Sequence, residues 1–209
     1  MKASFKNYLP VGTLAMLILL FACHSAPKDS ISAADSANKK LIAADDSARK
    51  AQRVALDSAD RSKTALLEDA SKFLVKCYES GMYETQLSQL AATNALDADV
   101  KNLAATLVTD HTAINAQINA IAASANLVLP AVLTTDHQKD LKDMTKLTGA
   151  DFDKKYASII ISGHEKSISN YKDAYKHLAP SDTKTFAGET LPKIQDHLAM
   201  AKKVKDRIK

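Results

Sequence analysis

The chain is poor in residues that interrupt helices. Its 209 residues include only five glycines, five prolines and no tryptophan, whereas alanine, leucine, lysine and aspartate are abundant. Runs in which apolar and polar residues alternate between turn signals, the pattern of half-buried strands, are also missing. These absences exclude a sheet-rich fold and predict an all-helical chain.

The motifs of several function classes are absent as well. The sequence contains no glycine-rich phosphate loop, no nucleophile motif and no paired-cysteine metal signature. The lack of a CxxCH motif excludes covalently attached haem. Lysine and arginine are interspersed with aspartate and glutamate, and the formal charge is only +4. Because no basic cluster is present, a nucleic-acid partner is not expected.

Residues 1–22 are predicted to be a secretory signal. Lys2 and Lys6 form a basic start, and residues 11–21 form a nearly unbroken apolar run that is too short to span a bilayer as a stable helix. Cys23 follows a small residue at the end of this run, which is typical of the cysteine that bacterial lipoprotein processing acylates. We therefore expect a lipid on Cys23. The alternative is cleavage by ordinary signal peptidase.

A lipid on Cys23 would make the membrane a partner of this protein. The next residue is His24, not the aspartate that retains many lipoproteins at the inner membrane. The outer membrane is therefore favoured over the inner one, with the domain facing the periplasm or the exterior. Cys77 then has no intramolecular partner, and its place four residues after Phe73 on a helical stripe predicts a buried thiol that packs as a small apolar side chain.

Residues 23–63 are predicted to be a tether. They are rich in Ala, Asp, Ser and Lys and repeat the tripeptide DSA with a period of eleven, which is close to three helical turns. Such a helix has a weakly packing alanine face, so we expect a lone helix, a loosely self-associating one or a disordered spacer. As a helix of ~40 residues it would reach about 60 Å from the membrane. The expected face consists of Ala37, Leu41, Ala44, Ala48, Ala51, Ala55 and Ala59.

Residues 64–209 are long enough for one domain with an apolar core. Asp97 and Ser181 are the expected N-caps of the second and fourth of its helices, and Pro192 predicts a kink or restart within the fourth. Apolar periodicity predicts long helices at about 64–94, from Asp97 to about Asn126, from about Asp151 to the region before Pro180, and from Ser181 onward, with a short one at about 136–147.

The lengths of the links predict how these helices pack. Two short links and one long link, which carries the short helix, are typical of a ferritin-like four-helix bundle. The alternative is a simple up-and-down bundle with the short helix as a lid. Residues 1–22 and 23–63 would precede this bundle as signal and tether.

One polar residue interrupts the apolar stripe of each long helix. These residues are Glu84, His111, His164 and His197. His111, for example, fills the step between Leu107 and Ile114. Counted from the adjoining turns at about 1.5 Å per residue, all four side chains lie near the middle of the bundle, so they could meet there.

Three interpretations of this polar set are open. One carboxylate and three imidazoles suit a single transition metal, such as Zn, Cu, Fe or Mn. Alternatively, Glu84 and the histidines form a hydrogen-bonded cluster that fixes the helix register. The third interpretation is a haem held between two of the histidines.

Each seam histidine also has an acidic neighbour in the sequence. Asp110, Glu165 and Asp196 point about 100° away from the adjacent histidine, so each could orient a histidine of another helix rather than its own neighbour. The alternative is ordinary surface pairing with Lys101, Lys166 or Lys193.

Four segments resemble a known family in order and spacing. They are FLVKCYESGMYETQLSQLAA, DVKNLAATLVTDHTAINAQI, LTGADFDKKYASIIISGHEKSI and LPKIQDHLAMAK, within residues 68–205. This stretch is similar to the ferritin-like exported proteins of domain-of-unknown-function family four-one-four-two, often labelled outer membrane proteins. The resemblance implies a helical bundle in the bacterial envelope, with Glu84, His111, His164 and His197 at the family's recurrent polar positions. It implies no activity.

The expected function is therefore that of an envelope lipoprotein whose bundle is a binding or structural module with a mononuclear metal site, and an enzyme is the less favoured class. The alternative is a metal-dependent oxidase or a metal-handling protein that uses the same residues. A di-iron centre needs two Glu-x-x-His pairs, and the sequence has none. Ferroxidase activity is therefore not expected.

Overall fold

The computed structural model describes residues 30–52, 58–179 and 181–208, and side chains 48–63 are outside that description. The predicted signal peptide, Cys23 and Pro180 therefore lie outside the described residues. All regular elements in these ranges are helices, as predicted. They are α1 (Ser30–Gln52), α2 (Ser58–Asn94), α3 (Ala98–Ser124), α4 (Thr135–Met144), α5 (Gly149–His177) and α6 (Asp182–Arg207).

The helix boundaries follow local sequence signals. The Asp97 carboxylate accepts hydrogen bonds from the first N–H groups of α3, and the Ser181 hydroxyl accepts one from the Lys184 N–H of α6, so both predicted caps are confirmed. Asn126 adopts a positive φ of 54° just after α3, a conformation that ends helices. Helix α6 continues through Pro192, so the predicted restart does not occur. Loss of a single backbone donor does not end a helix that is packed along its length.

The four long helices form a bundle in which α2 and α6 each contact both α3 and α5. The Asp153 carboxylate, near the start of α5, accepts hydrogen bonds from the Leu96 and Asp97 N–H groups after α2, at 3.1 and 2.8 Å. Helices α3 and α5 thus begin at the same end, where the Arg207 guanidinium of α6 also meets Asp97. The directions are up, down, down and up, and the link that carries α4 crosses the length of the bundle.

The core has two apolar layers with a polar layer between them. One layer includes Leu87, Leu107 and Ile160, and the other includes Leu74, Ile118 and Ile194. Between these levels lie the predicted polar residues of each long helix. Because such residues are buried only when they have partners, this middle layer is the place to look for a site.

Most of the predicted buried stripe is confirmed. Cys77 is buried and free, and burial raises the pKa of its thiol to about 12, so it packs as a small apolar side chain. Tyr175, four residues after the buried Tyr171 on α5, is by contrast 54% exposed, and its ring lies against Gly188. Among the described residues no helix is long and apolar enough to cross a membrane.

The N-terminal helix α1 packs against α2. The sequence had predicted a spacer in this region and no contact with the bundle. The Asn38 side chain accepts a hydrogen bond from the Val128 N–H and donates one to the Val128 carbonyl, at 2.6 and 2.9 Å. The buried face contains Ala34, Asn38 and Ile42, whereas Leu41 is 45% exposed. The alanine face predicted from the repeat is therefore wrong over the described side chains, because Asn38 and Ile42 find partners on the bundle.

Candidate metal centre

The structure brings the four predicted polar residues together in the middle layer. Glu84 projects from α2, His111 from α3, His164 from α5 and His197 from α6, and none is more than 4% exposed. The centres of the three imidazole rings lie 5.3 to 5.5 Å apart. Four side chains from four different helices therefore converge on one buried point.

The partners of His164 and His197 assign their tautomers. Nδ1 of His164 lies 3.0 Å from the Ile160 carbonyl oxygen, to which it can only donate a proton. Nε2 of His197 lies 2.9 Å from Oδ2 of Asp110 and donates to that carboxylate. The remaining nitrogens, Nε2 of His164 and Nδ1 of His197, then both carry lone pairs, and they face each other at 3.3 Å.

Glu84 and His111 make a similarly incomplete contact. Oε2 of Glu84 lies 2.9 Å from Nε2 of His111. The ring nitrogen nevertheless has no partner at hydrogen-bonding geometry among the described residues. The second carboxylate oxygen, Oε1, lies 3.5 Å from Nδ1 of His164. Both carboxylate oxygens of Glu84 thus lie close to imidazole nitrogens.

These spacings suit a bound metal ion. One nitrogen from each histidine can be chosen so that the three lie within 4.8 Å of one another. Around a tetrahedral ion with bonds of about 2.0 to 2.1 Å, ligand atoms are about 3.3 to 3.4 Å apart. The direct contact between His164 and His197 leaves no space between their rings for the flat macrocycle of a haem, so the third interpretation from sequence does not fit.

Burial favours the neutral form of His164 and His197. It lowers the pKa of His197 to about 4, although Asp110 opposes the shift, and it also lowers the pKa of His164. For Glu84, burial alone would raise the carboxyl pKa, but positive charge on the three histidines outweighs it and lowers the pKa to about 2. The Glu84 carboxylate therefore favours a positive charge nearby, whereas burial disfavours placing that charge on His164 or His197 as a proton.

Only one of the three predicted orienting acids contacts the cluster. Asp110 of α3 accepts from His197 of α6, and also from Nζ of Lys193 at 2.8 Å. Burial would raise the Asp110 pKa, but these two hydrogen bonds lower it. Glu165 instead pairs with Lys202 at the surface, and Asp196 is exposed. An offset of one residue from a buried histidine does not decide the outcome, because Asp110 has the same offset from His111; Glu165 and Asp196 lie on the exposed sides of α5 and α6.

A second polar cluster, around Glu79 of α2, was not predicted from the sequence. Glu79 of α2 is 1% exposed, and its carboxylate accepts from the Thr134 N–H at 2.8 Å and from Nδ1 of His137 at 2.9 Å. The His137 ring stacks on Tyr83, with 3.9 Å between ring centres. The spacing of four residues from Glu79 to Tyr83 indicated that they share one face of α2. Their partners Thr134 and His137 lie in the long connection, and its course over the bundle could not be predicted from periodicity.

A cleft of about 550 Å³ lies between parts of α2 and α5, is also lined by residues of α1 and α4, and reaches Glu84. Gly163 forms part of its wall, and a Cβ atom there would lie 2.8 Å from Oε1 of Glu84. Of the four central residues, Glu84 is the one that lines the cleft. Access from solvent to the cluster therefore runs over Gly163.

The sequence comparisons place the chain within a family but assign no activity. A family model described as Domain of unknown function (DUF4142) matches residues 55–204. This range contains all four central residues, Asp110 and the second cluster. No curated protein and no solved structure shows significant similarity to the chain.

Proposed function

Because the chain belongs to this family of unknown function, we propose a function from the site itself. The domain is a ferritin-like bundle of an exported lipoprotein, and it binds one divalent transition-metal ion. The ligands are Glu84, His111, His164 and His197. The up, down, down, up order with one long crossing link supports the ferritin-like topology, since the simple up-and-down alternative would make neighbouring helices in the chain antiparallel throughout.

The observation that carries this proposal is the pair of lone pairs between His164 and His197. In its neutral form each ring has one N–H group. That of His164 donates to the Ile160 carbonyl oxygen, and that of His197 donates to the Asp110 carboxylate. Two facing lone pairs at 3.3 Å repel each other unless a cation lies beside them. A metal ion removes this repulsion and uses both nitrogens as ligands.

Charge balance supports a metal over a purely structural cluster. A fully buried carboxylate needs a compensating positive charge, and burial disfavours a protonated imidazole. A divalent cation supplies that charge directly. One carboxylate and three imidazoles suit Zn, Cu, Fe or Mn. A ferritin centre holds two ions with several glutamates, so a cluster with the single carboxylate of Glu84 favours one ion.

The packing of α1 bears on where the domain sits in the envelope. If Cys23 is lipidated, six residues lie between it and Ser30, the first residue of α1. Even fully extended, the seven steps from Cys23 to Ser30 span only about 25 Å. The bundle would then lie close to the membrane surface rather than about 60 Å away from it.

Metal content tests the proposal most directly. The full chain, produced without a histidine tag and purified after export, should contain close to one transition-metal ion by mass spectrometry, or take up one Co²⁺ ion after dialysis. His111→Ala should lose this ion. His177→Ala is the matched control, because His177 is exposed at the end of α5 and outside the cluster, and it should retain the metal.

A folded wild-type protein that neither contains nor takes up Zn, Cu, Fe, Mn or Co would overturn the proposal. The cluster would then serve only to fix the helix register. Equal metal content in His111→Ala and wild type would also overturn it, because the metal would be bound elsewhere.

A further inference from the structure

The cleft between α2 and α5 is larger than a route for water requires. Its volume of about 550 Å³ lies within the range of about 300 to 1,000 Å³ that is typical of small-ligand sites. A water molecule needs only about 30 Å³. The cleft therefore has room for a small molecule beside the carboxylate of Glu84.

The walls of the cleft are polar and carry positive charge. Lys76, Lys155 and Lys166 are exposed where they line it, and serine hydroxyls and the Asn170 amide lie between them. The buried hydroxyl of Tyr83 also lines the cleft, beside the carboxylate of Asp140. These groups are mainly donors, which suits an acceptor-rich ligand.

The acidic groups of the cleft do not cancel this charge once metal is bound. Both oxygens of Glu79 contact His137, and one of them also accepts from the Thr134 N–H. Glu84 would be balanced by the metal ion, which leaves Asp140 against three lysines. The loaded cleft is therefore expected to attract anions.

Gly163 leaves the inner end of the cleft open toward the metal site. A side chain there would meet Oε1 of Glu84 at 2.8 Å, so glycine keeps the carboxylate accessible. The three histidines approach the metal position from the closed side and do not line the cleft. A fifth coordination position on the ion, beyond its four protein ligands, would therefore face the cleft.

We infer that this cleft binds a small carboxylate or oxyanion that occupies an open coordination position on the metal beside Glu84. The inference rests on the proposed metal site and deepens it. The lysines attract the anion, and the serine hydroxyls donate to it.

Azide, a small anion that binds metals, is the probe. The full chain is loaded with Co²⁺, whose visible spectrum changes when the coordination changes, and is titrated with azide. Saturable spectral change is expected in the wild type. In the double variant Lys155→Gln and Lys166→Gln, azide affinity should fall about fivefold, because each exposed charge typically contributes about 0.2 to 1 kcal/mol. The control double variant Lys154→Gln and Lys172→Gln removes the same two charges from α5 outside the cleft and should change affinity less than about twofold.

A steric variant tests the route independently of charge. Ser167 lines the cleft one helical turn after Gly163, so Ser167→Leu should weaken azide binding by about tenfold or more while Co²⁺ remains bound. Ser169→Leu is the matched control, because Ser169 is exposed on the same helix and does not line the cleft. Imidazole, a neutral ligand of Co²⁺, serves as a second probe. Its affinity should be the same in the wild type and in the double variant Lys155→Gln and Lys166→Gln.

The outcomes separate this inference from the metal site. Co²⁺ binding with a spectrum that azide leaves unchanged would overturn the inference and leave the metal site standing. Equal azide affinity in Ser167→Leu and Ser169→Leu would overturn the route through the cleft. If the lysine changes weaken imidazole and azide alike, the preference for anions is wrong. A chain that binds no Co²⁺ would overturn both proposals.

Discussion

Two buried glutamates on one helix have contrasting surroundings. Glu79 and Glu84 are five residues apart on α2, both are at most 3% exposed, and each contacts a histidine at 2.9 Å. The Glu79 carboxylate receives hydrogen bonds from a backbone N–H and an imidazole. In the cluster around Glu84, Nε2 of His164 instead faces Nδ1 of His197 at 3.3 Å, and Nε2 of His111 has no partner at hydrogen-bonding geometry within the described part of the chain. Burial of a carboxylate beside a histidine therefore does not by itself indicate a metal site, and our proposal for Glu84 rests instead on the hydrogen-bond partners of the surrounding histidines.

This comparison predicts that the two glutamates differ most in metal affinity. Glu84→Gln removes a ligand and the charge that balances the ion, so affinity should fall on the order of 1,000-fold, beyond the 10- to 100-fold that groups behind the ligands typically contribute. Glu79→Gln should change it less than about threefold. Competition between Zn²⁺ and a chromophoric chelator measures both. Similar losses in the two variants would show that the clusters do not differ in kind.

In the absence of metal, the order of the two glutamates should reverse for stability. Glu79→Ala leaves the Thr134 N–H and the His137 ring without their acceptor, and the cost should be about 2 to 3 kcal/mol in the free energy of unfolding. Glu84→Ala relieves a crowded set of acceptors and should cost less. Urea denaturation of the metal-free proteins provides the numbers. A larger loss for Glu84→Ala would support the structural interpretation of the central cluster.

The smallest expected effect concerns Asp110, for which the Glu79 cluster has no counterpart. Asp110→Asn keeps an oxygen that accepts from His197 but removes the negative charge, so metal affinity should fall about tenfold with little change in metal-free stability. Asp196→Asn is the control, since this exposed acid directly precedes His197 in the sequence. Metal affinity by calorimetry, measured beside urea denaturation, separates positioning from folding. Equal effects of the two substitutions would remove Asp110 from this role.

Several features of the fold were predictable because local rules govern them. Asp97 and Ser181 cap helices as expected, since a short polar side chain before an apolar periodic run satisfies the first free N–H groups. The common level of Glu84, His111, His164 and His197 could be estimated by counting from the turns, because helices in a bundle rise uniformly. Cys77 was placed correctly by its spacing from Phe73.

Other features depend on contacts between distant segments. The burial of Asn38 and Ile42 requires Val128 and α2, so the alanine repeat alone indicated the wrong face. Glu79 could not be distinguished from an exposed glutamate, because its partners lie on the connection before and within α4. Both cases depend on which loop passes a helix, and periodicity carries no information about that.

The sequence alone determined that this chain is helical, which residue of each long helix is polar within the buried stripe, and where most helices begin and end. These properties depend on periodicity and capping over a few neighbouring residues. Only the tertiary structure decided that Ile160 and Asp110 accept hydrogen bonds from the two imidazole N–H groups. It also decided which of the three acids contacts a histidine, and that Gly163 leaves a cleft open to Glu84. Proton counts and access depend on distances of a few tenths of an ångström between helices, which packing sets and local sequence does not.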